Sequence, residues 1–341
     1  MNTPYNLYKV GLENQDLIMQ LMKYFSLQYR GVSGEIMSSN NKSVTDFLDR
    51  YYKTELGGYT LDEFDVIRIC DILTEKNMML KTRSDGSLGL SNNYICNLKY
   101  LEDSPMWANL LNSVVYGFEY IYEKNKDMVV PVVWDKGDGN YAAGTAFKYF
   151  NGIATAKHCL TDVKNLMIKG FTADELNSSH VYIHQNEGAD VAFIELGSIL
   201  NIDVFPEDGK VLDEVLVMGY PKIPAFTDMI TAEKASIAAK AEERHTTTTG
   251  AVVSFGTQYL MRCEMMLITA KISGGNSGGP VINDKGSLVG ITSSLTDGEG
   301  DYDNLGYGVV SPVKYLMDIV SSNGERKELG VGADFFRDWV W

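Results

Sequence analysis

Serine, histidine and aspartate occur in this chain in settings that each suit one part of a nucleophilic reaction. Ser277 stands in Gly274-Gly275-Asn276-Ser277-Gly278-Gly279-Pro280, flanked by two pairs of glycines and followed by the strand-like run Pro280-Val281-Ile282. Glycine leaves a bare approach to a reacting atom and accepts backbone angles closed to other residues. A serine nucleophile needs that approach, together with backbone N–H groups converging on an oxyanion. A phosphate cradle is the competing reading of a glycine-rich loop, but the P-loop pattern requires a Lys followed by Ser or Thr, which this segment lacks.

A base and an orienting acid lie upstream. Gly152 to Cys159 reads as a short apolar strand ending at His158, and Gly188 to Leu196 reads as an aspartate, Asp190, opening a buried strand. The chain order His158, Asp190, Ser277 is one of the three known orders for a Ser-His-Asp triad.

With these three blocks the chain resembles the trypsin/chymotrypsin-like serine peptidases, and within them the bacterial intracellular or HtrA-like branch. Thr155-Ala156-Lys157-His158-Cys159 resembles the T-A-A-H-C block, Ala189-Asp190-Val191-Ala192 the D-I-A-L block, and Gly275 to Pro280 the G-[DN]-S-G-G-P block. Gly144-Thr145-Ala146-Phe147, Val215 to Pro221 and Val289 to Ser294 agree with weaker blocks of the same family. The resemblance covers residues 129–325 and does not touch the first 125. It implies a mainly β, double-barrel (chymotrypsin-like) protease domain that hydrolyses peptide bonds in a protein or peptide substrate without a cofactor. Ser277 would be nucleophile, His158 general base, Asp190 the orienting carboxylate, and the N–H groups of Gly275 and Ser277 the oxyanion hole.

Further expectations come from the same resemblance. Lys271, six residues before Ser277, falls where the base of the primary specificity pocket is set, with Ser293 and Gly308 on its walls. A buried lysine there would favour an acidic substrate side chain; a lysine snorkelling to solvent is the other reading. Asn276 replaces the aspartate that pairs with a new N-terminus in zymogen-type members, so activation by that ion pair is not expected. Secreted members pair the cysteine after the histidine with one on the preceding strand. Tyr141 to Thr145 carries none, so Cys159 is expected to stay reduced; pairing of Cys159 with Cys263 is the other reading, and Cys70 and Cys96 complete the four cysteines.

The rest of the chain must position or control these groups. At 341 residues it is long enough for two domains. The division expected is a winged-helix-like domain over 1–103, a connecting helix over 104–127, the protease over 128–325 and a C-terminal tail over 326–341. Apolar spacing predicts a helix over 13–29, a second over 43–54 capped by Ser43, and a third after a Thr60–Glu63 capping box running to about Asn77. A hairpin is expected between Met78–Thr82 and Leu88–Leu90, turning at Ser84-Asp85-Gly86. Three helices and a hairpin give a mainly α, winged-helix-like module. Beyond the protease start, Ala232–Arg244 reads as a short helix and Thr246–Thr249 as a mobile polar loop.

Composition restricts the partners. The net charge is −15, and the third helix carries Asp62, Glu63, Asp65, Asp71 and Glu75 against Arg68 and Lys76. Both features disfavour nucleic acid, whose phosphates call for clustered Lys and Arg. A regulatory protein partner of the N-terminal domain is the favoured alternative. The N-terminus lacks the pattern of a signal peptide and no apolar run reaches membrane-spanning length, so no membrane and a cytoplasmic location are expected. His180, His184 and His245 read as surface residues. The spacing of the first two would suit a metal on a helix, but the strand-like residues between them argue for no metal. Two rivals to a serine endopeptidase remain: a peptide-binding pseudoprotease that does not cut, and a DNA-binding regulator carrying a protease.

Overall fold

Runs of β-branched and aromatic residues broken by Gly, Asn and Asp set the architecture from Val129 onward, because such runs fit a pleated, half-buried surface. The computed structural model describes residues 7–27, 42–52, 61–84, 92–96, 104–136, 141–200, 204–221, 245–258, 262–293, 306–321, 325–332 and 335–339. It divides into two units, Met1–Tyr122 and Glu123–Trp341.

The first unit is mainly helical. The stretch expected as one helix over 13–29 is two, Tyr8–Glu13 and Leu17–Phe25. Ser43 caps the next helical segment by accepting from the Asp46 N–H, as expected, and the chain continues in π-helical form over Phe47–Tyr52. The third helix runs Glu63–Glu75, and its cap is Asp62, whose carboxylate accepts from the Phe64 N–H at 2.8 Å. Such a cap contributes about 1 kcal/mol. Strands β1 (Leu80–Ser84) and β2 (Asn92–Ile95) pair antiparallel. The expected second arm at 88–90 and the turn at 85–86 lie outside the described residues. Leu21, Phe25, Phe47, Val66, Ile69, Leu73 and Tyr94 form one buried core, so helices and hairpin share a single apolar centre. The Tyr94 hydroxyl donates to Asp71 at 2.7 Å, and Lys81 pairs with the same carboxylate at 3.0 Å. Helix Pro105–Asn125 starts on proline, which suits a position whose N–H has no helical partner, and departs from helical angles at Gly117.

The second unit holds two β layers. The first is a seven-stranded sheet built from β3 (Val129–Asp135), β4 (Tyr141–Tyr149), β5 (Gly152–Thr155), β6 (Lys164–Ile168), β7 (His180–His184), β8 (Ala192–Glu195) and, from the far end of the chain, β15 (Arg326–Glu328). Its order is β15-β7-β8-β5-β4-β3-β6. The second is a closed barrel of β9 (Glu214–Gly219), β10 (Thr246–Gln258), β11 (Cys263–Ile268), β12 (Pro280–Asn283), β13 (Leu288–Ser293) and β14 (Gly308–Pro312), in the order β10-β11-β14-β13-β12-β9. Each layer has its own core: Val132, Ile153, Leu166, Ile168 and Ile194 in the sheet, and Val215, Val217, Met266, Ile268 and Val310 in the barrel. Full burial of each such side chain contributes about 1.5–3 kcal/mol.

Three expectations change here. Thr246–Thr249 is not a loop: it opens β10 and pairs residue by residue with β9, Thr246 opposite Gly219 through Thr249 opposite Leu216. The described residues of the C-terminal tail expected over 326–341 pack on the sheet. Arg326–Glu328 adds a strand to the sheet, and Phe336 is buried in the sheet core, with its neighbour Phe335 accepting a hydrogen bond from the Leu166 N–H at 2.9 Å. His184 is no surface residue but is 6% exposed, its Nδ1 accepting from the Asn186 N–H at 2.9 Å. The helix expected at 232–244 lies outside the described residues. Among the described residues no helix is long and apolar enough to cross a membrane, and no cluster of three metal-ligating side chains occurs.

Candidate active site

His158 sits in a single 3₁₀ turn, Lys157–Cys159, immediately after β5, where the chain leaves the sheet and can turn a side chain outward. Asp190 precedes β8, the neighbour of β5 in the sheet, so the pairing Thr155 with Ala192 brings the two ends together. The contact is doubled. Asp190 Oδ2 lies 2.8 Å from His158 Nδ1, and Oδ1 accepts the His158 backbone N–H at 3.0 Å. The carboxylate therefore fixes both the ring and the turn that carries it. The His158 side chain is 28% exposed and that of Asp190 15%.

These contacts shift both acidities. Burial alone would lower the His158 pKa, but the hydrogen bond that the ring donates to Asp190, with the adjacent Cys159 sulfur, outweighs it and raises the value to about 10. Burial would raise the Asp190 pKa, yet its hydrogen bonds and charge pairing with His158 hold it below the usual carboxylate range. The His158 contribution to stability is complete below the ordinary histidine pKa and is lost as pH rises through about 10. The Asp190 contribution is present above the ordinary carboxylate pKa and is lost as pH falls through its depressed value.

A third group on this carboxylate was not assigned that role from sequence. Ser293 Oγ, expected on the wall of a specificity pocket, donates to Asp190 Oδ2 at 2.5 Å. Ser293 ends β13 and is 3% exposed. The barrel thus reaches across to orient an acid that belongs to the sheet. Ser293→Ala is expected to lower stability by about 1–3 kcal/mol, the range for losing a hydrogen bond to a charged buried group. Denaturant unfolding at neutral pH measures it; an unchanged midpoint would remove this contact from the site.

Ser277 lies in the turn between β11 and β12 and is 4% exposed. Its backbone ties it to the sheet: the Thr145 N–H donates to Ser277 O at 2.9 Å, and Cys159 Sγ lies 3.8 Å from that same oxygen. The residue after His158 therefore touches the Ser277 backbone. Among the described residues Ser277 Oγ makes no hydrogen bond; unliganded sites are often looser than the reacting complex.

Two threonines clamp the loop from opposite sides. Thr145 Oγ1 donates to Gly275 O at 2.7 Å and accepts from the Tyr220 N–H at 2.9 Å. Thr292 Oγ1 donates to Asn276 O and accepts the Gly279 N–H at 2.9 Å, while its backbone exchanges bonds with Gly278 and Gly279 at 2.8 and 2.9 Å. Gly275 adopts φ +98°, a left-handed conformation that favours glycine. The N–H groups of Gly275 and Ser277 donate to no backbone carbonyl among the described residues, whereas Asn276, Gly278 and Gly279 each donate to one. Among the described residues Asn276 Oδ1 is buried without a hydrogen-bond partner, and a Cβ on Gly219 would come within 2.9 Å of it.

Lys271 does not make a charged pocket floor: it is exposed, and its backbone carbonyl accepts from Thr248 Oγ1 at 2.9 Å. The next side chain, Ile272, turns inward instead. A Cβ on Gly308 would meet Ile272 Cδ1 at 2.6 Å, so Ile272 covers the position expected as a pocket wall. Cys159 is buried and forms no disulfide, like Cys70, Cys96 and Cys263. Gly144 faces its sulfur so closely that a Cβ there would come within 2.9 Å.

A six-stranded barrel and a companion sheet, with histidine and aspartate from the sheet meeting a glycine-bound serine loop from the barrel, define the framework of the chymotrypsin-like peptidases. Residues 144–291 match the model of the trypsin-like peptidase domain. A curated relative, the probable periplasmic serine endoprotease DegP-like of Chlamydia trachomatis, is 37% identical over 65 residues, which is 18% of this chain and 13% of the relative. The match thus spans about an eighth of that protein. Among solved structures, the active form of the Rv3671c protease from M. tuberculosis aligns with TM-score 0.43 and 18% identity, over 63% of this chain and 88% of that one. The serine endoprotease from Yersinia pestis aligns with TM-score 0.40 and 19% identity, over 60% and 66%.

Proposed function

We propose that this protein is a serine endopeptidase that hydrolyses peptide bonds through Ser277, His158 and Asp190. The observation that carries the reading is the doubled Asp190–His158 contact beside the Ser277 loop. Ser277 Oγ attacks the peptide carbonyl carbon as its proton passes to His158 Nε2. The carbonyl oxygen becomes an oxyanion facing the N–H groups of Gly275 and Ser277. Collapse expels the amine, which takes the proton from His158. Water, activated by the same imidazole, then releases the acid product and restores Ser277. Asp190 holds the proton on Nδ1, so in the neutral ring, favoured as pH rises, Nε2 presents the lone pair the reaction needs. The chemistry uses no metal and no cofactor.

The first unit completes the proposal as a winged-helix-like regulatory module that binds a protein partner. Its acidic third helix and the exposed Phe64 and Leu80 at the helix and hairpin support a protein rather than a nucleic acid surface. A reducing, cytoplasmic setting suits four buried cysteines that form no disulfide.

A fluorophosphonate probe tests the core of this reading. The wild type, alone or in lysate of its native host, is expected to label covalently, and Ser277→Ala not to label. Absence of labelling in both settings would favour the rival of a peptide binder that does not cut.

A further inference from the structure

Between the end of β7 at His184 and the start of β8 at Ala192, the chain must deliver Asp190 to His158. The hydrogen bonds that hold this connection centre on Asn186. Its N–H donates to His184 Nδ1 at 2.9 Å, its Oδ1 accepts the Gly188 N–H at 3.0 Å, and its carbonyl accepts the Ala189 N–H at 3.0 Å. Its Nδ2 donates to Arg262 O at 3.1 Å, on the segment entering β11. Next to it, Glu187 O accepts from the ammonium of Lys157, the residue before His158. Ala189 is fully buried and directly precedes Asp190. The turn is thus tied forward to the His158 turn, across to the barrel, and back to the end of β7 through one imidazole.

That imidazole has little freedom. His184 is buried, and its ring stands edge-on to Tyr315 with centroids 5.1 Å apart. Tyr315 belongs to the helix Val313–Val320, and its hydroxyl accepts the Glu264 N–H at 2.8 Å, which fixes the ring. An amide N–H can only donate, so Nδ1 of His184 is the acceptor and the proton stands on Nε2. Nε2 faces Asp318 Oδ2, on the same helix as Tyr315, at 3.4 Å. Of the two ring nitrogens, Nδ1 makes the shorter bond, and it alone reaches the turn that carries Asp190. Filling this place needs only volume, which a leucine has. Accepting the Asn186 N–H needs a ring nitrogen or an amide oxygen.

We propose that His184 is a positioning residue for the candidate triad: by accepting the Asn186 N–H it sets the turn that holds Asp190 against His158. Its consequence for catalysis rests on the serine endopeptidase reading, whereas the placement of Asp190 is measurable without any hydrolysis.

The proton between His158 Nδ1 and Asp190 gives that measurement, because a short hydrogen bond to a carboxylate moves a proton resonance far downfield. Full-length protein carrying isotope-labelled histidine is expected to show such a resonance at neutral pH, and Asp190→Asn to lack it. His184→Leu keeps the volume and removes the acceptor. It should broaden the resonance or move it to higher field, and slow fluorophosphonate labelling by about tenfold, the loss expected for one hydrogen bond. In His184→Asn the amide oxygen can stand where Nδ1 stood, so this variant should keep the resonance and label within about threefold of wild type. A residue that only filled space would favour leucine over the smaller asparagine. The melting temperature of each variant checks that it folds. A wild-type resonance in His184→Leu, its loss in His184→Asn as well, or a wild-type protein without it would overturn the proposal. Where the resonances behave as expected but the wild type does not label, the peptidase reading falls and the role of His184 in placing Asp190 stands.

Discussion

Asp190→Asn is expected to lower kcat/KM for peptide hydrolysis by about 10⁴-fold while the protein still folds. The carboxylate accepts three hydrogen bonds, from the His158 N–H, from His158 Nδ1 and from Ser293 Oγ. An asparagine oxygen can replace one acceptor, but its NH₂ group must then face a donor. The ring responds by presenting a lone pair at Nδ1, which puts the proton on Nε2 and takes the base away from Ser277. The pH profile supplies an independent readout. Loss of the carboxylate removes the interaction that raises the His158 pKa, so the limb along which activity rises with pH should move to lower pH. A rate within a few-fold of wild type, with an unmoved limb, would mean that Asp190 does not orient the base.

Gly278→Ala should be nearly as severe, by a different route. Gly278 has φ +90°, and a Cβ on it would meet Thr145 O at 2.1 Å, Thr155 Oγ1 at 2.3 Å and Ala156 N at 2.8 Å. Two of those atoms are backbone of β4 and of the segment entering the His158 turn, so they can yield only by moving the sheet. The combined strain and overpacking is about 3 kcal/mol or more. Because the same contact aligns the Ser277 loop with the His158 turn, fluorophosphonate labelling should fall together with the melting temperature. Gly274→Ala is the control for stability. That residue is exposed, has no positive φ and meets nothing within 4 Å, so its melting temperature should match wild type. Equal melting of Gly278→Ala and wild type would contradict the packing of this loop.

Much of the site was legible because its parts are local. Ser277 announces itself by its glycines, His158 and Asp190 by the short apolar runs beside them, and β5 and β8 pair so as to bring the last two together. The helix caps at Ser43 and near Glu63 were legible for the same reason, although the side chain that caps the third helix is Asp62. Thr246–Thr249 misled because a polar run reads as a loop. Threonine is β-branched, and the partner strand β9, distant in sequence, supplies the ladder that makes it a strand.

The sequence by itself determined the candidate nucleophile, base and acid, their order, and a mainly β domain after a mainly α one, since motif chemistry and side-chain period are properties of short windows. Only the tertiary structure decided which groups serve those three. Ser293 turned from pocket wall to donor on Asp190, and Lys271 turned to solvent while Ile272 faced Gly308. Thr145 reaches Gly275 across 130 positions, and Phe336 closes the sheet core from the end of the chain. The direction of a side chain and the partner across a sheet depend on where the closed barrel and the sheet bring distant backbone together, and no local pattern encodes that distance.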